Sequence, residues 1–413
     1  MATMDKRLAT RSVLLFGIVM GGITLLYQFV LLDLGVGGDF NAYYLGTRSW
    51  MAGETVYGRA LDSSSETLYL YAPVTLILFS PFTFLPTWLS AFIAFTVVQI
   101  ASGLVLANML VNFLRERDTI ITTFDRVLIV LFVIGSSITV GGIRNGNINI
   151  ILSTFIAGAV VLLYDGEEIS AAASLAIASL FKIFLAFFGI WFLIKKSKRA
   201  AGGSVIVGLT GLTVGLTLGV NRTISYVRFI IGHGRMEIAP GGIAPETEGV
   251  SVLRPLSQIF PFGFIPLAIV SSLLLLGLIG YLASETDDDV GDLYLILWIV
   301  ITPTIIYFPE YSEFLLFPLL ALLYLVEDTT EFLLLASGSI LVITKIGYGQ
   351  YSTVISLVGE GQMTTTLLIF GKIVFSIASL PLYGIGLFLL AALYHSSRET
   401  EESKLDESAE TVV

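Results

Sequence analysis

The chain has 413 residues, 55% hydrophobic and 13% charged, with a mean hydropathy of +0.88 and a formal net charge of −10. A soluble domain carries roughly 25% charged residues. With no cysteine and only His233 and His395, the composition excludes disulfides, thiol nucleophiles and His- or Cys-rich metal centres. With no basic stripe it also excludes nucleic acid as a partner.

Repeated apolar runs of about 20 residues predict an all-α, polytopic helical membrane protein in contact with membrane lipids. About twelve spans are expected, within a range of eleven to thirteen. They fall near 12–32, 68–85, 87–114, 126–142, 147–164, 169–194, 201–220, 264–282, 292–308, 312–326, 332–346 and 367–394. The first run lacks a small-residue cleavage site and is read as a span, not a signal peptide. Residues 1–394 form one integral membrane domain, and 395–413 read as an acidic, disordered cytoplasmic tail.

Lys6, Arg7, Arg11 and the cluster Lys195–Arg199 set the orientation, because cytoplasmic loops carry the excess of Lys and Arg. Five expected spans separate residue 33 from residue 195. Gly35–Thr67 therefore falls on the outer face of the plasma membrane, with both termini inside. On this map Arg115–Arg126 lies outside despite its three Arg, and Gly141–Ile150 lies in the cytoplasm.

The first outer loop, "GVGGDFNAYYLGTRSWMAGETVYG", is polar and aromatic. Residues 41–51 read as a short amphipathic helix at the interface, with Tyr43, Tyr44 and Trp50 at headgroup depth. Asp39 precedes it, either as a helix cap or as a working carboxylate; Glu54 follows it. Next comes "YLYAPVTLILFSPFTFLP", with Tyr69 and Tyr71 on one side and Pro73, Pro81 and Pro86 shortening any helix. "GGIRNGNINI" reads as a Gly-rich hinge carrying Arg144, Asn145, Asn147 and Asn149. Lys182 lies within a span, where a cation faces a pocket, pairs with an anion, or snorkels to the interface. Arg222, Arg228, Arg235 and Arg254 in the loop 221–263 suit phosphate, or else pair with Glu237, Glu246 and Glu248. Glu310, Tyr311 and Glu313 meet at a later outer hairpin and either suit sugar hydroxyls or form a solvated hairpin tip.

A carboxylate, aromatics and cations beside an apolar way in suit a lipid-phosphate sugar donor and a hydroxylated acceptor. Such a transfer needs one base and positive groups for the leaving phosphate. It demands no metal or other cofactor. A secondary transporter is the alternative from span number alone, but the halves show no matching repeat. A non-catalytic membrane scaffold is a third reading.

The pieces "GDFNAYYLGTRSWMAGETVYG", "YLYAPVTLILFSPFTFLP", "NGNINIIL", "FKIFLAFFGIWFLIKKSKR" and "PEYSEFLLFPLLALL" resemble, in this order, the polyprenyl-phosphate-mannose-dependent mannosyltransferases of glycosyltransferase family 87, within the GT-C membrane superfamily. The resemblance implies a GT-C-like fold, a dolichyl- or polyprenyl-phosphate mannose donor and a glycolipid or glycan acceptor. It makes Asp39 the catalytic acidic residue and Lys182 the family's span-embedded Lys. Where that family often has a His, this chain reads Glu310-Tyr311-Ser312-Glu313.

Overall fold

The computed structural model describes residues 2–32, 35–61, 67–232, 242–247, 251–260, 263–285, 288–307, 309–359 and 361–410. Helix α1 (Ala2–Leu26) continues into a wider π-type turn, Tyr27–Leu31. After it come α2 (Gly38–Met51), α3 (Thr75–Thr83), α4 (Trp88–Arg115), α5 (Thr123–Gly135), α6 (Val140–Asn145) and α7 (Asn149–Tyr164). Next are α8 (Glu168–Phe181), a 3₁₀ stretch (Ile183–Phe188), α9 (Gly189–Ile194), α10 (Lys198–Thr217), α11 (Val220–Gly232) and α12 (Leu253–Ile259). The chain ends with α13 (Phe264–Glu285), α14 (Asp289–Tyr307), a 3₁₀ turn (Pro309–Leu315), α15 (Leu316–Leu325), α16 (Thr329–Thr344), α17 (Tyr348–Ser356), α18 (Gln362–Ile377) and α19 (Leu380–Glu410). Among the described residues there is no strand.

Among the described residues, five helical segments are long and apolar enough to cross a bilayer: Lys6–Val30, Trp88–Arg115, Lys198–Thr217, Phe264–Glu285 and Leu380–Thr400. A sixth forms if α16 and α17, bent by 67°, count as one broken span. Shorter apolar helices such as α7 and α8 complete the bundle. Their interior faces carry residues such as Leu152, Ile156, Leu175 and Trp191, all buried. Apolar side chains on α10 and α13, including Ile206, Leu209, Ile269 and Leu273, point outward, as a lipid-facing surface requires.

Polar contacts sort the helix ends into two faces. On the first, Arg7 and Arg11 grip Asp125 at 2.7 Å, and Lys6 reaches the Val326 carbonyl. Arg117 pairs with Asp289 at 2.7 Å, and both Lys195 and Tyr164 reach Asp292. On the second face lie Asp39, the α6–α7 hinge and Lys182.

Two expected spans are corrected by this arrangement. Segment 68–85 does not cross. Its prolines leave a nine-residue α3, roughly 14 Å long, packed on α2. Segment 169–194 is not one span but a hairpin: α8 runs toward the Asp39 face, the chain breaks at Lys182, and α9 returns to Lys195. There are still five passages between Asp39 and Lys195, so the two keep opposite faces. The segments between change sides, however. Arg115–Arg126 joins the basic face, and the hinge 141–150 joins Asp39.

The C-terminal stretch also differs from expectation. Residues 395–400 are helical and held in place, with His395 against Glu331 and Asp288 and Thr400 against Glu285. Helix α19 continues through the acidic stretch to Glu410, where Glu, Lys and Ala favour the helical backbone.

Candidate functional site

Gly37 precedes helix α2 as its N-cap, and its φ of +74° is a left-handed conformation suited to glycine. Its N–H donates to the Arg144 carbonyl at 2.9 Å, and a Cβ there would lie 2.5 Å from the Trp88 ring. This fixes Asp39 in the first helical turn, beside the positive end of the α2 dipole. Below it Phe40 is fully buried, stacked on Phe95 at 5.3 Å, while the Tyr43 ring lies flat on Phe79 at 4.3 Å. The carboxylate therefore stands on a rigid aromatic floor.

The hinge between α6 and α7 supplies its partner. Asn147 donates through Nδ2 to Asp39 Oδ2 at 2.8 Å. Asn147 is oriented in turn: its carbonyl accepts from Gln99 at 2.6 Å, and its Oδ1 accepts the Asn149 N–H at 3.0 Å. Gly146, at φ +68°, lets the hinge lie against α2, where a Cβ would meet that of Phe40 at 2.6 Å. Arg144 is buried, donating to the Gly35 carbonyl at 3.1 Å and to Asn145 Oδ1 at 2.7 Å.

Lys182 occupies the break between α8 and the 3₁₀ stretch, in an extended conformation (φ −129°, ψ 98°). Its helix stops there, so the buried ammonium faces the site, 3.9 Å from the centre of the Tyr311 ring. The second carboxylate is Glu313, 3% exposed, which accepts from Asn149 Nδ2 at 3.3 Å. Lys182 and Lys345 both lie within electrostatic reach of it. Gly142 leaves room for it, since a Cβ there would lie 2.7 Å from Glu313 Oε1.

Burial raises the Asp39 pKa above the ordinary carboxylate value, against the opposing pull of the Asn147 hydrogen bond and the charges of Lys182 and Arg144. Such a group is a stronger base than a solvated carboxylate, and the neighbouring cations still allow it to ionise.

The structure thus gathers Asp39, Tyr43, Tyr71, Lys182 and Glu313. The Tyr43 hydroxyl lies 2.9 Å from that of Tyr71 and accepts the Ile148 N–H at 3.3 Å. Tyr69 is buried behind them on Thr75 at 2.6 Å, and Tyr44 is buried against Phe40. Other expected residues stand apart. Glu54 is exposed and paired with Arg59 at 2.6 Å. Arg222 binds the Leu218 carbonyl at 2.6 Å, Arg228 is exposed, and Arg254 is buried, bonded to the Phe375 carbonyl at 3.1 Å. Arg235 and the Glu310 side chain lie outside the described residues, as do His233, Glu237 and Glu248. The sequence put Arg144, Asn147 and Asn149 on the wrong side, although their Gly-flanked polar pattern marked them. Lys345 gave no signal there beyond its charge.

Next to Lys182 opens a cleft of about 710 Å³ between α8–α9 and α10. It is lined mainly by apolar and small residues, including Leu180, Ile183, Ala186, Gly202 and Leu209.

Fold and site together define a helical membrane protein with a partly buried carboxylate–amide–cation centre at one end of its bundle. A sequence profile of glycosyltransferase family 87 matches residues 69–305, more than half of the chain, and the protein belongs to that family. It is therefore a glycosyltransferase, with a sugar donor and an acceptor as its partners. Tyr69, Tyr71, Arg144, Asn147 and Lys182 lie within the matched region. No curated protein matches the chain.

Proposed function

We propose that this enzyme transfers a sugar, mannose in the first instance, from a polyprenyl- or dolichyl-phosphate donor to a hydroxyl of a glycolipid or glycan acceptor. The acceptor oxygen attacks the anomeric carbon from the face opposite the phosphate. As the new C–O bond forms, the bond to the phosphate oxygen breaks, and the lipid phosphate leaves with the electron pair. Asp39 takes the hydroxyl proton, and the single displacement inverts the anomeric centre. Lys182 and Arg144 offset the negative charge gathering on the departing phosphate. Glu313, Asn149 and Tyr71 offer acceptors and donors for sugar hydroxyls. The apolar cleft beside Lys182 suits a prenyl tail whose phosphate rests at the ammonium.

The observation that carries this reading is the Asn147-held Asp39 carboxylate, raised in pKa by burial and within electrostatic reach of Lys182 and Arg144. Arg7 and Arg117, one passage away along α1 and α4, and Lys195, five passages away, share the opposite face. The excess of basic residues there supports a cytoplasmic assignment for that face and an outer one for the site.

Purified protein in nanodiscs, given several labelled lipid-phosphate sugars, tests the proposal, with products read by mass spectrometry. Lipid-phosphate mannose should be consumed and an inverted glycoside should form. Asp39→Asn should lower the rate on the order of 10²–10⁴-fold while the protein still folds. Undiminished transfer by that variant removes Asp39 as the base.

A further inference from the structure

The basic face of the bundle holds a second set of chemistry-bearing side chains, which sugar transfer does not use. His395, from α19, is 2% exposed. Its Nδ1 lies 3.3 Å from Glu331 on α16. Glu331 also accepts the Tyr294 hydroxyl of α14 at 2.8 Å and the Asp328 cap steadies its backbone N–H at 2.9 Å. The ring is therefore held with Nδ1 toward a braced carboxylate and Nε2 toward Asp288, 3.1 Å away. Ligand atoms of Asp288, His395 and Glu399 all lie within 4.8 Å of one another. Asp288 and His395, with Glu331, border a pocket of about 250 Å³.

We propose that Asp288, His395 and Glu399 form a binding site for one divalent cation of the zinc or manganese class. Three features carry it. Two ligands bound at about 2.1 Å on neighbouring vertices stand roughly 3.0–3.4 Å apart, which fits the Nε2–Asp288 separation. The Tyr294–Glu331–His395 chain is the brace that metal-bound imidazoles receive: a carboxylate on the far nitrogen that fixes the tautomer and aims the other lone pair at the ion. One imidazole nitrogen and two carboxylates are a donor set for zinc or manganese, harder than a thiolate site and softer than an all-oxygen one.

The nearby cations offset only part of this negative charge: Lys6 lies within electrostatic reach of Glu331, and Arg398 is in long ion-pair range of Glu399. Arg117 is engaged by Asp289 at 2.7 Å, and Arg398 lies 3.8 Å from Asp328 and 4.0 Å from Glu399. Asp288, Glu331 and Glu399 together supply three carboxylates around one ring. Bound there, the ion ties the α13–α14 connector to α19 and, through Glu331, to α16. The length of α14, roughly 28 Å for its 19 residues, separates this clamp from the Asp39 face. The ion therefore braces the helix ends and takes no part in the transfer.

The test is direct binding of Zn²⁺ and Mn²⁺ chlorides to chelator-washed, full-length protein in nanodiscs, by calorimetry and by metal analysis after dialysis. One ion per chain is expected. Glu331→Gln, which leaves the three ligands in place, should weaken binding about 10-fold, and His395→Gln about 100-fold. Should His395→Gln fail to fold, the half-exposed Glu399→Gln serves in its place, with a loss of at least about 10-fold. Absence of saturable binding for both ions overturns the proposal. So does binding that neither His395→Gln nor Glu399→Gln weakens.

Discussion

Replacing Asn147 by serine isolates the control of the Asp39 proton. Asn147 Nδ2 donates to Asp39 Oδ2 at 2.8 Å, and its Oδ1 accepts the Asn149 N–H at 3.0 Å. A serine hydroxyl can still accept from the backbone at this turn but is too short to reach Asp39. A hydrogen bond to a charged group is worth about 1.5–3 kcal/mol. One pKa unit is 1.36 kcal/mol, so the loss amounts to about 1–2 units. The bond stabilises the ionised form, so removing it raises the Asp39 pKa further. Because the base must be ionised to accept a proton, activity will be lost at a higher pH in the variant than in the parent. The assay is kcat/KM against pH with lipid-phosphate sugar in nanodiscs. The acid limb should move up by about 1–2 pH units, while the plateau well above it changes much less. An unmoved acid limb, or one displaced to lower pH, refutes the assignment of Asp39 as the ionised base held by Asn147.

Three further outcomes follow from the same contacts. Lys182→Met should lower kcat/KM on the order of 100-fold, since it removes the cation facing the leaving phosphate; steady-state kinetics with varied donor will show it. Gly37→Ala forces a side chain into a left-handed conformation at about 1–2 kcal/mol and drives its Cβ onto Trp88, so both the thermal midpoint and the transfer rate should drop. Asp125→Asn leaves Arg7 and Arg11, about one-quarter to one-third exposed, without their shared carboxylate. A loss of about 2 kcal/mol in denaturant unfolding is expected, below the 3–5 kcal/mol of a fully buried pair.

The aromatic neighbourhood of Asp39 was legible because polar and ring-bearing residues are conspicuous beside an apolar span. Tyr43 and Tyr71 do meet, and Lys182 does lie within electrostatic reach of Asp39. The hinge was misplaced because hydropathy records burial without saying whether lipid or protein does the covering. Segment 68–85 is apolar since Leu76 and Phe79 pack inside the bundle, and Pro73 and Pro81 within it and Pro86 after it keep it too short to cross. Assigning it a passage reversed the sides of every helix up to Lys182. There the opposite error, one span drawn through a hairpin, restored the balance. The three Arg near 115–126 had signalled the problem, and the structure pairs Arg117 with Asp289 on the basic face. Glu313 was found by its position at a hairpin, but its link to Asn149 depends on packing between chain segments 164 residues apart, which local pattern does not record. Arg254 shows the converse: its charge suggested phosphate, yet it is consumed by main-chain carbonyls.

The way Gly37 and Gly146 let their segments interlock has a consequence for anyone recombining members of this family. The Gly37 amide clasps Arg144, Gly146 lies on Phe40, and Asn147 meets Asp39 across 108 positions of chain. The two stretches behave as a single heritable cassette. A chimaera that imports one without the other, or shifts either by a single codon, would put mismatched surfaces together, whereas exchanging both at once should carry the proton-accepting centre intact into a new host.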